Sequence, residues 1–285
     1  MSTIDFDALW DYDQSAATEG RFRTLLPELA QAPARRLELL TQIARAQGLQ
    51  LRFVDAHQTL DDVERALTPD LGTARLRYLL ERGRVHNSSG DPERARPLFQ
   101  AAWEAAEAAG LDFYAVDAAH MLAIVAAADE QAEWNWRALA LAEHSADPRA
   151  RRWQGSLLNN LGWTYHAAGE FARALDLFER AAAFRQAQGQ PRETRIARWC
   201  VARTLRSLGR LEAALAVQQA LHAEAEAAGE PDGFVWEEIA ECLLALGRPA
   251  EARPYFAQAH RLLAQDAWLA AAEPDRLERL RSLGA

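Results

Sequence analysis

The sequence of 285 residues contains no lysine, so all 32 of its basic side chains are arginines. Acidic residues number 41, and the net charge of −9 argues against general nucleic-acid binding, which needs a basic face. Only two cysteines occur, Cys200 and Cys242, and they do not form a metal-type pair such as C-x-x-C. A reduced, cytoplasmic protein is therefore expected.

Long apolar runs and catalytic motifs are also missing. The first residues, MSTIDFDALWDYDQ, have neither a basic region nor an apolar core, so no signal peptide is expected, and no run could span a bilayer. None of the motifs H-E-x-x-H, G-x-S-x-G, G-x-x-x-x-G-K-[ST] or G-x-G-x-x-G occurs, and the seven histidines are scattered. These absences favour a protein that is not an enzyme and has no cofactor or metal, and leave a catalytic group assembled across distant segments as the alternative.

Apolar residues instead recur with the period of helices, and no segment has the pattern of a strand. Short clusters of Gly, Pro and Asp separate the helical segments and predict turns, because these residues end one helix and cap the next. The chain is thus predicted to form successive helical hairpins. One series of turns contains Gly90, Gly169, Gly209 and Gly247, and the other contains Pro69, Gly110, Pro148, Gly189 and Gly229.

The segment GWTYHAAGEFARALDLFERA, residues 162–181, recurs in weaker form at intervals of 38 to 40 residues. With Leu161 before it, this segment resembles the tetratricopeptide repeat (TPR) family through L-G-x-x-Y at 161–165, A-x-x-x-F at 174–178 and Ala181. The resemblance is to a bacterial type with a lengthened repeat of about 39 residues. It implies an all-α, right-handed superhelical solenoid of antiparallel helix hairpins.

On the TPR frame, six repeats occupy residues 37–266 and begin at 37, 76, 116, 155, 195 and 233. Small residues such as Gly83 and Gly162 fill the eighth position, where two helices cross, and Phe99 and Phe178 stand at position 24. Residues 1–36 are predicted to form a degenerate N-terminal capping hairpin, and residues 267–285 a C-terminal capping helix. Terminal units differ because one of their faces meets water.

The resemblance also implies that positions 2, 5, 9 and 12 of each unit line a concave face. Arg77, Ile196 and Phe234 lie on this stripe together with most of the candidate binding residues. The candidates are Arg84, Asn87, His120, Asn159, Asn160, Trp163, His166, Trp199, Arg203, Arg206, Glu237 and Glu241.

These residue types are suited to holding a peptide. Tryptophan and arginine are enriched at binding hot spots, asparagine both donates and accepts hydrogen bonds, and arginine grips carboxylates through two bonds. Arginines at the centre of the stripe favour an acidic or carboxylate-bearing ligand, whereas Glu237 and Glu241 would suit a basic group. A chaperone-type carboxylate clamp is not expected, because Ile196 and Cys200 stand where its basic residues should follow Asn160.

Purely structural roles are the alternative for each of these residues. Trp163 and Trp199 would then pack between repeats, Arg203 and Arg206 would pair with Glu237 and Glu241, and the histidines would be satisfied interface groups.

Three functions follow from the fold that the resemblance implies. The first is a non-catalytic adaptor that binds another protein or a peptide in the concave groove, without nucleic acid or membrane. The second is a regulatory protein whose groove responds to a small ligand or a signalling peptide. Self-association as a structural protein is the third.

Overall fold

A computed structural model describes residues 4–285, except for the side chains of residues 128 and 129. Residues 1–3 of the predicted capping hairpin lie outside the described residues. Throughout residues 4–285 the regular structure is helical and no strand is present, which confirms the predicted all-α class. The chain divides into two compact units, Met1–Trp153 and Gln154–Ala285.

The first unit is built from antiparallel helix hairpins that follow one short N-terminal helix. Consecutive helices pack against each other, and the first helices of neighbouring hairpins, α2 with α4 and α4 with α6, also touch. Its helices are α1 Ser15–Leu25, α2 Pro33–Leu49, α3 Phe53–Ala66, α4 Gly72–Ser88, α5 Pro92–Ala109, α6 Asp112–Val125, α7 Ala128–His144 and α8 Pro148–Arg151.

The second unit repeats the arrangement with three hairpins and two shorter helices. The last helix, α16, packs against α14 and closes this end of the unit. Its helices are α9 Gln154–Ala167, α10 Phe171–Ala187, α11 Pro191–Ser207, α12 Leu211–Ala228, α13 Gly233–Ala245, α14 Pro249–Leu263, α15 Ala267–Ala272 and α16 Pro274–Gly284. No helix within residues 4–285 is both long enough and apolar enough to cross a membrane.

Glycines at the predicted turns have the left-handed backbone conformation that ends a helix. Gly169 and Gly209, for example, have φ angles of 77° and 73°. Aspartates begin several of the following helices, and the Asp232 carboxylate accepts hydrogen bonds from two backbone amides of α13. Local chemistry therefore fixes the end of some hairpin helices and the start of others, such as α5 and α13.

Four first helices begin one turn earlier than the TPR frame predicts. Helices α2, α4, α6 and α11 start at residues 33, 72, 112 and 191, and the predicted units start at 37, 76, 116 and 195. Proline at the first position of α2 and α11 favours these earlier starts, because its fixed φ angle suits a first turn and its missing N–H is not needed there.

Within two hairpins a glycine faces an aromatic ring at the helix crossing. A Cβ atom on Gly162 would lie 2.5 Å from the Phe178 ring, and a Cβ atom on Gly83 would meet Phe99 in the same way. Both phenylalanine side chains are fully buried. The small residue allows close approach of the helices, and the ring fills the space between them.

The two cysteines lie inside the second unit as free thiols. Burial raises the pKa of both Cys200 and Cys242 to about 12. A thiol of this kind stays protonated at neutral pH and is a poor nucleophile.

Candidate functional site

Three aromatic side chains form a row along the first helices of the second unit. Trp163 of α9 and Trp199 of α11 have ring centroids 6.2 Å apart, and Phe234 of α13 follows at 6.5 Å from Trp199. His166, one turn after Trp163, lies 5.2 Å from the Trp163 ring. All three residues lie on the predicted stripe, but at positions 9, 5 and 2 of their units, so each ring stands about one turn earlier on its helix than the ring before it.

Each ring of this aromatic row also has a structural contact. Trp163 packs edge-to-face on Phe178, with centroids 5.2 Å apart, and the Trp199 indole N–H donates a hydrogen bond to the Phe234 carbonyl at 3.2 Å. Both tryptophans are half-buried. These contacts give the side chains of the row a packing role.

Two apolar side chains that face solvent lie at the end of the row: Phe234, which belongs to it, and Ile196 beside it. Ile196 is 51% exposed and Phe234 is 40% exposed, and the two are grouped at one cavity instead of being scattered singly. Together with Trp199 they line an open cavity of about 720 Å³, whose other walls are Arg192, Arg195, the 230–233 turn and the end of α14. Neither Ile196 nor Phe234 was selected from the sequence, although both lie on the predicted stripe.

The charged groups around this cavity are largely committed to other contacts. Arg195 pairs with Glu230 at 2.7 Å, and the carboxylates of Asp232 and Asp266 cap α13 and α15. Arg192 is exposed and has no ion-pair partner among residues 4–285. The site consequently offers an apolar floor with one available cation at its edge.

Arg203 and Arg206 share a single buried carboxylate, that of Glu238. Arg206 makes two bonds to it, at 2.8 and 3.0 Å, and the Arg203 Nε lies 3.1 Å from it. Burial lowers the pKa of Arg206, but the bonds to Glu238 outweigh this, and its pKa is raised overall. Arg203 and Arg206 were predicted to bind the carboxylate of a ligand. This prediction needs correction, because both arginines are already paired with the carboxylate of Glu238.

Pairing of the two arginines within the protein was the alternative, but Glu237 and Glu241 were the wrong partners. Arg276 of α16 donates three hydrogen bonds to the Glu237 carboxylate, the shortest 2.6 Å, and Arg279 pairs with Glu241. Helix α16 thus neutralises the acidic end of the stripe. Glu237 and Glu241 are not free to receive a basic group.

The remaining candidates in this unit have internal partners as well. The Asn159 side-chain oxygen lies 3.6 Å from the Cys200 sulfur, and the backbone carbonyl of Asn160 accepts a bond from the Thr164 hydroxyl at 3.0 Å. His166 Nε2 lies 2.9 Å from the Ser207 hydroxyl. Burial, with the nearby Arg203, lowers the pKa of His166, which favours the neutral ring.

The other three candidates belong to the first unit. Arg84 pairs with Asp117 and, at 2.7 Å, with Glu81, and the His120 ring lies 5.0 Å from Trp153. Asn87 is half-buried near the end of α4. The structure therefore brings nine of the twelve candidates together in the second unit and places Arg84, Asn87 and His120 in the first.

No group of three or more His, Cys, Asp or Glu side chains that could hold a metal ion occurs within the part of the chain that the structure describes.

Comparison with known proteins places the fold. Residues 155–187 match the family model described as tetratricopeptide repeat, and the resemblance predicted from the sequence is thereby confirmed. The chain thus contains a tetratricopeptide repeat in a fold of helical hairpins. The lengthened repeat of about 39 residues stays a prediction.

Solved structures share this fold at low sequence identity. The apo form of RapI is similar with a TM-score of 0.72 and 10% identity, over 90% of this chain and 73% of RapI. A signal transduction ATPase with a tetratricopeptide repeat sensor, from Pyrococcus horikoshii, gives a TM-score of 0.73 and 15% identity, over 93% of this chain and 42% of that protein. A tetratricopeptide repeat protein from Parabacteroides merdae gives 0.52 and 14%, over 98% of each chain.

These similarities concern the fold alone. No curated protein matches the sequence.

Proposed function

We propose that the protein is a non-catalytic scaffold that binds a segment of another protein, or a peptide, on the aromatic row of its second unit. The observation that carries the proposal is the exposure of Ile196 and Phe234 next to Trp199, at the edge of an open cavity of about 720 Å³. Exposed apolar side chains grouped with aromatic rings are typical of protein interaction sites.

The chemistry of the partner follows from what the site leaves available. Because Glu238 holds Arg203 and Arg206, an apolar or aromatic anchor in the cavity supplies most of the binding energy. Arg192 at the cavity edge favours an acidic or carboxylate-bearing residue beside that anchor. An apolar segment with an acidic flank is therefore the partner that we propose.

A regulatory role is the second candidate. The similar ATPase from Pyrococcus horikoshii carries a tetratricopeptide repeat sensor, and the cavity volume lies within the range of small-molecule sites, about 300–1,000 Å³. In this role the same cavity would take a small ligand or a signalling peptide. Small-angle scattering with and without that ligand tests it, because a sensor has to change its dimensions.

Peptides selected from a displayed random library provide the test of the scaffold function. The selected peptides are titrated by fluorescence anisotropy against the wild type, Phe234→Ala and Ile196→Glu. We expect each substitution to weaken binding at least about tenfold, which corresponds to about 1.4 kcal/mol, because each removes apolar contact at the cavity.

Trp268→Ala is the matched control, since Trp268 is 71% exposed in the same unit but does not line the cavity. Its affinity for the selected peptides should equal that of the wild type, and circular dichroism should show all variants folded. Selected peptides that bind Phe234→Ala and Ile196→Glu as tightly as the wild type would contradict the proposal.

A further inference from the structure

The first unit has a second surface, which is covered by the chain's own N-terminal segment, residues 4–14. This segment contains two short 3-10 turns, Asp7–Leu9 and Tyr12–Gln14, in place of the first helix of the predicted capping hairpin. It is anchored at one end by Phe6, which is buried with Phe22, Leu39 and Ile43. The segment passes over α2 and reaches α4, the first helices of two successive hairpins.

Three arginines on α2 and α4 hold the N-terminal segment. Arg35 of α2 donates to the Ile4 carbonyl and lies over the Phe6 ring, 4.1 Å from its centroid. Arg77 of α4 binds both carboxylate oxygens of Asp7, at 3.0 and 2.7 Å. Such a bidentate pair is specific for a carboxylate in that position.

Arg45, the third arginine, recognises aromatic rings. It lies 5.5 Å from the Trp10 ring and 5.3 Å from the Tyr12 ring, which stack on each other with centroids 4.9 Å apart. The Trp10 indole N–H donates to the Gln42 side-chain oxygen at 2.9 Å. Cation–π contact and this hydrogen bond together make an indole site next to the carboxylate site.

The composition of the segment complements this surface. Residues 4–13 read IDFDALWDYD, with four aspartates, three aromatic residues and no basic residue. Most of its backbone polar groups make no contact with the helices below, and Tyr12 is 58% exposed. Side chains therefore attach it to the surface. Phe6 is buried in the core, but none of residues 7–14 is buried, so the part after Phe6 has the few buried contacts typical of segments that open locally.

Arg77 cannot readily lose its carboxylate partner without a replacement. Its side chain is only 7% exposed, its Nε has no hydrogen-bond partner, and Glu38 lies 3.9 Å away. Removing Asp7 would leave a buried guanidinium poorly compensated, which is strongly unfavourable. Any segment that displaces residues 4–14 must therefore bring its own carboxylate.

From these contacts we infer that the surface formed by Arg35, Gln42, Arg45 and Arg77 binds an acidic, aromatic segment of a partner protein, and that residues 4–14 are its internal competitor. The spacing of Asp7 and Trp10 defines the partner's chemistry: a carboxylate three residues before an indole. The partner can bind only while the internal segment leaves the surface free. Its apparent Kd is therefore its intrinsic Kd divided by the fraction of time for which the surface is free. This surface lies in the first unit, so the inference does not depend on the aromatic row of the second.

The test uses a fluorescein-labelled synthetic peptide with the sequence of residues 4–13 as its probe. It is titrated into the full chain as wild type and as the double variant Asp7→Ala/Trp10→Ala, whose own segment has lost both specific contacts. We expect the double variant to bind the peptide at least tenfold more tightly than the wild type does. A peptide with Asn for its Asp7, or Ala for its Trp10, should bind the double variant at least tenfold more weakly.

Asp13→Ala is the matched chain variant, because Asp13 is an exposed aspartate of the same segment with no ion pair among residues 4–285. It should bind the probe no better than the wild type does. Ile196→Glu, placed in the double variant, should leave probe binding unchanged, which separates this surface from the proposed function of the second unit. If the double variant does not fold, Trp10→Ala alone is compared with the wild type, and a smaller increase in affinity for the probe is expected.

Two results would overturn the inference. A folded variant that binds no probe, or that binds the altered peptides equally well, would show that residues 4–14 are only a fixed part of the core. Wild-type dimers in sedimentation that disappear in the double variant would identify the occupant as the N-terminal segment of a second copy, and not as a partner.

Discussion

At the scale of single residues, buried polar side chains differ sharply in how their hydrogen bonds are satisfied. Gln42 and Gln218 are both fully buried. The amide of Gln42 accepts from Trp10 and donates to Thr41, whereas neither amide atom of Gln218 has a partner among the described residues. An unsatisfied buried amide costs about 1–3 kcal/mol.

We expect Gln218→Leu to raise the free energy of unfolding by about 1 kcal/mol or more, because the substitution removes the unsatisfied amide at nearly constant volume. Leu60 and Leu139, which occupy the same position of the predicted frame, are fully buried. Urea denaturation measures the change.

Gln42→Leu is the control. It should lower the free energy of unfolding by about 1–2 kcal/mol, since it leaves the Trp10 indole without its acceptor. A loss of stability in Gln218→Leu would contradict the explanation.

At the scale of helices, the hairpin crossing at Gly162 depends on the absence of a side chain. We expect Gly162→Ala to lower stability by about 1–3 kcal/mol, because the new methyl group would overlap the buried Phe178 ring. Thermal and urea denaturation followed by circular dichroism measure the change.

Gly20 supplies the matched comparison, since it lies inside α1 and a methyl group added there would meet nothing within 4 Å. Gly20→Ala should raise stability by about 0.5–1 kcal/mol through helix propensity alone. Equal effects of the two substitutions would show that the crossing at Gly162 is not tightly packed.

The helical hairpins could be predicted from the sequence because their signals are local. Turn glycines such as Gly169 and Gly209 and the apolar period of each helix act within a few residues. The earlier starts of α2 and α11 were less evident, although Pro33 and Pro191 signal them. The TPR frame was aligned on the residues at the helix crossings, so it does not show where each helix begins.

The partners of the charged side chains could not be predicted, because they depend on rotation of one helix against another. Adjacent residues on a helix differ by about 100° in direction, so Glu238 reaches Arg203 and Arg206 while Glu237 reaches Arg276. The packing of the N-terminal segment, residues 4–14, over α2 and α4 was also not predicted. Its signal was present in the alternation of aspartate with aromatic residues between 5 and 13, which complements arginines far along the chain.

At the scale of the whole molecule, histidines link stability to pH. Burial lowers the pKa of His57, His86, His120 and His166. For His57, the nearby His86 and Arg82 add to this effect, and Arg82 Nη1 lies 2.9 Å from its Nδ1. The folded protein therefore keeps these rings neutral under conditions in which the unfolded chain takes up protons.

This difference predicts that the melting temperature falls as the pH is lowered from 7.5 through about 6.5 to 5.5. The unfolded chain binds more protons in this window, so the histidine contribution is fully present above pH 6.5 and is lost below it. Scanning calorimetry across the series measures the slope, and His57→Gln should reduce it. A melting temperature that stays constant from pH 7.5 to 5.5 would contradict the prediction.

The buried thiols of the second unit have a practical consequence for chemical labelling. Cys200 and Cys242 lie inside the fold, and their pKa values are raised to about 12. We therefore expect neither thiol to react with maleimides at neutral pH while the protein is folded. A cysteine introduced at Val54, whose side chain is 81% exposed, would then be the one accessible attachment point among the described residues. Fluorophores could be placed on the folded chain without first replacing its native cysteines.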